Sequence, residues 1–140
     1  LEMPEATWVN ERAYAMRLLG KSYSEKNQPH EALKWLRLAV AEAPNTREPW
    51  VELSIQCYQM SMWAESYAAA KSALEIKDKA LVYTMDPSVW TEKPYDYASI
   101  AAWNLGLKDE AVQLCQKALE LAPDDQRLQS NLQHMTTQAV

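Results

Sequence analysis

The chain has 140 residues, 48% of them apolar, with 14 Lys and Arg against 19 Asp and Glu, for a net charge of -5. That length suits one domain burying roughly 70% of its unfolded surface, and its basic residues are scattered, leaving no electrostatic footprint for nucleic acid or anionic lipid. No apolar run approaches the ~20 residues that cross a bilayer, and no charged-then-apolar leader is read.

In chain order, the apolar spacing predicts helices over 13–26 and 29–43, 47–60 and 63–77, 94–105 and 108–121, then a closing helix over 124–137. The fold class is all-α. "HEALKWLRLAVAEAPN" carries Ala32, Ala39 and Pro44, and "DEAVQLCQKALELAPD" repeats the intervals with Ala111, Ala118 and Pro123. Extended backward to Leu19, Gly20 and Tyr23, the first unit covers 13–46. A second unit, 47–80, keeps Trp50, Leu53 and Ala73. Its match is weaker, with Ser54 for glycine, Ser66 and Ala70 at the alanine and large apolar positions, and Asp78 for proline. The third covers 92–125, with Gly106 in its turn. Between the second and third lies an insertion, 81–91, "LVYTMDPSVWT". It is expected as an ordered loop or short turn, anchored by Leu81, Val82, Tyr83 and Trp90 and bent at Asp86-Pro87.

Small residues at i and i+7 let two helices approach closely, and Pro44 and Pro123 end the second helix of their units. Gly20, inside a helix, permits close packing. A lone hairpin cannot bury its apolar face, so the units are expected to stack, closed by a capping helix carrying Leu128, Leu132 and Met135.

Little in the chain reads as catalytic. Glycine occurs only at Gly20 and Gly106, too few for a phosphate-cradling loop, and His30 and His134 have no ligand partners at metal spacing. No cofactor and no metal is expected. Glu48 and Glu52, one turn apart, could be imagined as an acid/base pair but read as a solvated helix face; Asp86 reads as a turn residue. Cys57 and Cys115 are expected as reduced, buried thiols, and the location as cytoplasmic. The chain begins at Leu1, and is expected to be a piece of a longer protein.

These units resemble the tetratricopeptide repeat, a helix-turn-helix element stacked into a superhelix. A narrower resemblance, carried by "ATWVNERAYAMRLLGKSY", "REPWVELSIQCY", "YDYASIAAWNLG" and "VYTMDPSVW", is to the repeat region that follows the catalytic domain of some bacterial and phage nucleotide-sugar glycosyltransferases. It implies that the parent is such an enzyme and this piece its non-catalytic appendage, with the first dozen residues the tail of an earlier repeat. The alternative is a free-standing adaptor or co-chaperone-like peptide-binding protein.

In the repeat family the first helix of each unit lines a concave groove. The resemblance places Tyr14, Arg17, Leu18, Lys21, Ser24 and Glu25 there from the first unit. The second contributes Glu48, Val51, Glu52, Ile55, Tyr58 and Gln59, and the third Lys93, Asp96, Tyr97, Ile100, Trp103 and Asn104. The expected contacts to a protein or peptide partner are Tyr14, Arg17, Lys21, Val51, Ile55, Tyr58, Lys93, Tyr97, Ile100 and Trp103. Arg17 and Lys93 are basic where carboxylate-gripping members are, but Lys21, Glu52 and Tyr97 replace Asn, Asn and Arg, so that clamp is expected to be absent. Two readings of Tyr97, Ile100 and Trp103 stay open: covered by the insertion or by other parts of the parent, or open to a partner.

Overall fold

The computed structural model describes residues 5–78 and 86–138, and is helical throughout: α1 (Glu5–Glu25), α2 (Pro29–Glu42), α3 (Arg47–Gln59), α4 (Trp63–Glu75), a 3-10 turn (Pro87–Trp90), α5 (Lys93–Asn104), α6 (Lys108–Leu121) and α7 (Gln126–Gln138). No strand occurs among the described residues. One expectation is corrected at the start of the chain. α1 begins at Glu5 rather than near residue 13, so the described residues before Ala13 extend one continuous helix instead of ending an earlier repeat. Nothing in the sequence interrupts it, for no Gly or Pro lies between Glu5 and Leu19. Of the insertion, Asp86 through Thr91 are ordered as a capped turn, in which the Asp86 carboxylate accepts from the Ser88 amide at 3.0 Å. Leu81, Val82 and Tyr83 lie outside the described residues, as do the last two positions of the second unit.

Each hairpin closes on the same local geometry. Asn27, Ser61 and Gly106 take left-handed backbone conformations, with φ of 59°, 57° and 84°. The amide after each reaches back five residues: Gln28 to Tyr23 O (2.9 Å), Met62 to Cys57 O (2.8 Å) and Leu107 to Ala102 O (2.9 Å). The left-handed residue itself donates to Ser24 O, Tyr58 O or Trp103 O. This double bond satisfies the carbonyls a helix leaves orphaned at its end. The outgoing turns after α2 and α6 also match, since the Trp50 indole donates to Pro44 O and the Gln129 amide to Pro123 O, both at 2.8 Å.

Within each hairpin the closest approach involves small residues. A Cβ on Gly20 would stand 2.8 Å from Leu36 Cγ, so only glycine fits against α2 there. At the equivalent place in the second hairpin the Ser54 hydroxyl donates to Ser66 O at 2.8 Å, and in the third Ser99 donates to Ala111 O at 2.8 Å. The serines replace glycine without stranding a polar group because the facing carbonyl accepts the hydroxyl proton. Between units α2 packs on α3, α4 on α5 and α6 on α7, and α1 also meets α3 as α3 meets α5. Among the described residues the second helices make no comparable contact with one another, so the array curls toward the side of α1, α3 and α5.

Candidate functional site

The inner face is assembled from α1, α3 and α5, with α7 as a fourth wall. At one end Arg17 Nε donates to Glu52 Oε1 at 2.7 Å and its Nη2 to Oε2 at 3.0 Å, a two-pronged pair spanning the first two units. The same guanidinium lies 5.4 Å from the Tyr14 ring centre. Burial, the largest influence, pulls the Arg17 pKa down, but the hydrogen bond and charge of Glu52, with Glu48 and Asp86, outweigh it and hold the group above its ordinary value. Lys21, Ser24 and Ile55 border this pair around a small cavity of about 170 Å3.

Toward the other end the face is aromatic. Tyr58 meets Tyr97 edge-on, centroids 5.2 Å apart, and Trp63 at 5.8 Å. Trp103 is flanked by His134 at 5.8 Å and by Lys108, whose ammonium lies 5.0 Å from the ring centre. Tyr58, Ile100 and Trp103, with Arg127, Asn131, His134 and Met135, line a cavity of about 320 Å3. Asp96, beneath, is paired with Arg127, whose Nη1 approaches Asp96 Oδ1 at 3.2 Å. The Tyr97 hydroxyl is raised above its ordinary pKa, by burial first and then by the negative charge of Asp96.

The structure thus brings together Arg17, Lys21 and Ile55 at one cavity, with Tyr14 beside Arg17, and Tyr58, Ile100 and Trp103 at the other, with Tyr97 beside Tyr58. Lys93 opens α5, half-buried. Val51 is different. It is 1% exposed, in one apolar cluster with Val89 of the insertion and Ala73, and is closed to a ligand. The insertion therefore covers part of the second unit's inner face while Tyr58, Ile100 and Trp103 stay half-exposed. Glu48 and Glu52 are not a solvated face. Glu48 is 7% exposed and accepts the Asp86 amide at 2.9 Å, and Glu52 is committed to Arg17. The α7 residues Arg127, Asn131 and His134 were missed because α7 was read only as a cap. Counting it as the next first helix puts them on its inward face.

A larger depression, about 1100 Å3, lies between the outer helices α4 and α6. Its walls are largely charged and partly self-paired, with Lys71 3.0 Å from Glu110, which also accepts the Tyr67 hydroxyl at 2.6 Å. Size alone does not make it the better site, because specific recognition needs an apolar floor with a few unsatisfied polar groups. No group of His, Cys, Asp and Glu among the described residues could hold a metal ion, and no helix there is long and apolar enough to cross a membrane. Cys57 and Cys115 are free and buried.

The profile of the tetratricopeptide-repeat family matches residues 13–46 and 95–125. No curated protein sequence matches the chain. Among solved structures, the chain is similar to the first TPR of Spaghetti (RPAP3) bound to HSP90 peptide SRMEEVD, at 15% identity over 92% of this chain and 94% of that one, with a TM-score of 0.79. It is similar to the TPR2B domain of yeast Sti1 in a complex with pHsp70, at 17% identity over 91% and 98%, with a TM-score of 0.73. MamA matches at 16% identity over 91% of this chain and 68% of that one, with a TM-score of 0.75. With paired helices turning on equivalent residues and curling toward their first helices, the chain has the fold of a tetratricopeptide-repeat domain.

Proposed function

We propose that this chain is a non-catalytic protein-interaction domain whose inner face holds a segment of a partner protein. The supporting observation is the half-exposed cluster of the aromatic Tyr58, Tyr97 and Trp103 with Ile100, left uncovered although Val89 buries the neighbouring Val51. Aromatic side chains carrying a polar handle, open on a concave face, suit a buried contact with another chain. Two of the similar structures hold an HSP90 peptide or pHsp70, which supports peptide binding as a use of this fold. The test is affinity capture with the wild-type chain and with Tyr58→Ser/Trp103→Ala. Partners retained by the first, and by an outer-face Gln113→Ala/Lys117→Ala control, should be lost from the second at unchanged helicity. Retention of the same partners by all three refutes the reading.

The proposal extends to context: a single domain with units at 13–46, 47–80 and 92–125, the insertion 81–91 and a cap at 124–137, serving in the cytoplasm as the helical appendage of a nucleotide-sugar glycosyltransferase. Its support is the sequence resemblance around "VYTMDPSVW", with free Cys57 and Cys115 suiting a reducing compartment. A full-length protein that consumes nucleotide sugars would support the appendage. One without a catalytic neighbour would favour the free-standing adaptor.

A further inference from the structure

The two ends of the array differ. Leu19 on α1 is 39% exposed, whereas Leu53 and Ala98, at the same place in the second and third units, are 3% and 0% exposed. Ala15 is exposed where Pro49 and Pro94 are fully buried, and Trp35 of α2 is half-buried where Ala69 and Leu114 are buried. Leu53 and Ala69 cluster with Leu33, Leu36 and Val40 of α2, and Ala98 and Leu114 with Ala70 and Leu74 of α4, so these are the positions on which a preceding unit packs. The first unit leaves that face open. Trp8, 46% exposed, extends it along α1, and Leu38, one turn from Trp35, borders it. At the opposite end α7 exposes Gln129, Ser130, Gln133 and Thr137, a polar finish.

A preceding unit docked like the others would need its outgoing turn, the counterpart of 43–46, over residues 9–12, and those are helical in α1. That occupant does not fit. Trp8, Arg12, Ala15 and Leu19 form one exposed stripe with spacings of four, three and four residues, the same read in either direction. The stripe is therefore complementary to itself. A second α1 laid antiparallel sets Trp8 against Leu19 and Arg12 against Ala15, each contact made twice about a two-fold axis. Arg12 is held by its own Glu42, and Lys34 stands 3.9 Å from its own Glu31, so two such faces meet without net repulsion. Side by side, α1 and α2 offer a face of about 600 Å2, near the ~800 Å2 per partner of a standard interface. We infer that two copies of this chain pair through α1, antiparallel, at the open end of the array. Head-to-tail growth is opposed, because it would lay the apolar face on the polar α7. The pairing surface is separate from the aromatic cavity, so this inference and the interaction reading fail independently.

Sedimentation equilibrium of the 140-residue chain between about 5 and about 200 µM should show a reversible dimer, the range in which an interface of this size dissociates. Leu19→Glu, at an exposed position where folding is not at stake, should weaken it by about thirtyfold or more. Leu121→Glu, exposed on α6 away from that face, should leave it unchanged. Orientation is read from Arg12→Cys/Ala15→Cys oxidised with copper phenanthroline, Cys57 and Cys115 being buried. The disulfides should join position 12 of one copy to position 15 of the other. A chain that stays monomeric at every concentration overturns the inference and leaves the face to a different partner. A dimer weakened by Leu121→Glu and not by Leu19→Glu, or links joining 12 to 12 and 15 to 15, overturns it as well.

Discussion

The Arg47 guanidinium lies 4.0 Å from the centre of the Trp90 ring, and its nitrogens donate to Ile76 O at 2.9 Å and Val89 O at 3.0 Å. One side chain at the start of α3 therefore fastens the end of α4 and the 3-10 turn of the insertion to the same helix. Burial lowers the Arg47 pKa, as expected of a cation held by carbonyls and a ring rather than by a carboxylate. Arg47→Ala should cost about 2 to 3 kcal/mol by chemical denaturation and expose the chain near residue 90 to proteolysis. Arg47→Lys should recover little, because an ammonium cannot reach both carbonyls while stacking. Loss of less than about 0.5 kcal/mol would show the insertion is held by other contacts.

Backbone handedness makes a second prediction. Ser61 holds φ of 57° without the freedom of glycine, so Ser61→Gly should stabilise the chain by about 0.5 to 1 kcal/mol. Gly106→Ala, at φ of 84° with open space around it, should cost about 1 kcal/mol through backbone strain alone. Thermal unfolding of the two variants should move in opposite directions, and a shift of the same sign would contradict the shared hairpin geometry.

The sequence declared its helices and repeats well because they rest on spacing: Ala32 to Ala39 to Pro44 and Ala111 to Ala118 to Pro123 leave few alternatives. It concealed Asn27 and Ser61, which take the same turn conformation as Gly106 but are not glycines. Glu48 and Val51 were misjudged for a different reason. What buries them is the insertion, through Asp86 and Val89, and a contact between residues so far apart along the chain has no periodic signature. Asn131, on the cavity wall with Trp103, was equally invisible until α7 took its place as a further inner helix.

Packing around Gly20 gives a coupled test. Gly20→Ala gains helix propensity of about 1 kcal/mol, yet its Cβ would stand 2.8 and 2.9 Å from Leu36 Cγ and Cδ2. The clash should win, for a net loss of about 1 to 2 kcal/mol. In a Leu36→Ala background, where that room is vacated, the same change should be neutral or stabilising. A double-mutant cycle with no coupling would rule out the close approach as the reason for the glycine.

Stability should fall at both ends of the pH range. Glu65 is held below the ordinary 4.5 chiefly by its hydrogen bond from Arg37, and Glu110 by those from Tyr67 and Lys71. Depressed carboxylates contribute fully above pH 4.5, and that contribution disappears as pH falls through their folded values. The Cys57 thiol is pushed by burial from 9.0 up to about 12. Its contribution is complete below pH 9 and is lost as pH rises toward 12, because the unfolded thiol ionises first. Urea midpoints should decline over both windows. Arg37→Gln should flatten the acid limb and Cys57→Ala part of the alkaline one, where Tyr67, also raised to about 12, remains. Limbs unchanged in these variants would show that other groups carry the dependence.

Leu114, 7% exposed, belongs to the core cluster against which Trp103 packs only partly. Leu114→Ala should cost about 2 to 5 kcal/mol of stability and Trp103→Ala distinctly less. Equal losses would mean that Trp103 is core.

The central claim is that the aromatic inner face exists for a partner, and the dissociation constant of a partner identified by affinity capture tests it most directly when measured on wild type, Trp103→Ala and Gln113→Ala, each verified as folded. The account predicts about thirtyfold weaker binding, near 2 kcal/mol, for Trp103→Ala and no change for Gln113→Ala on the α4–α6 side. Equal affinity for wild type and Trp103→Ala, with weakening confined to Gln113→Ala, would move the binding surface to the outer cleft and contradict it.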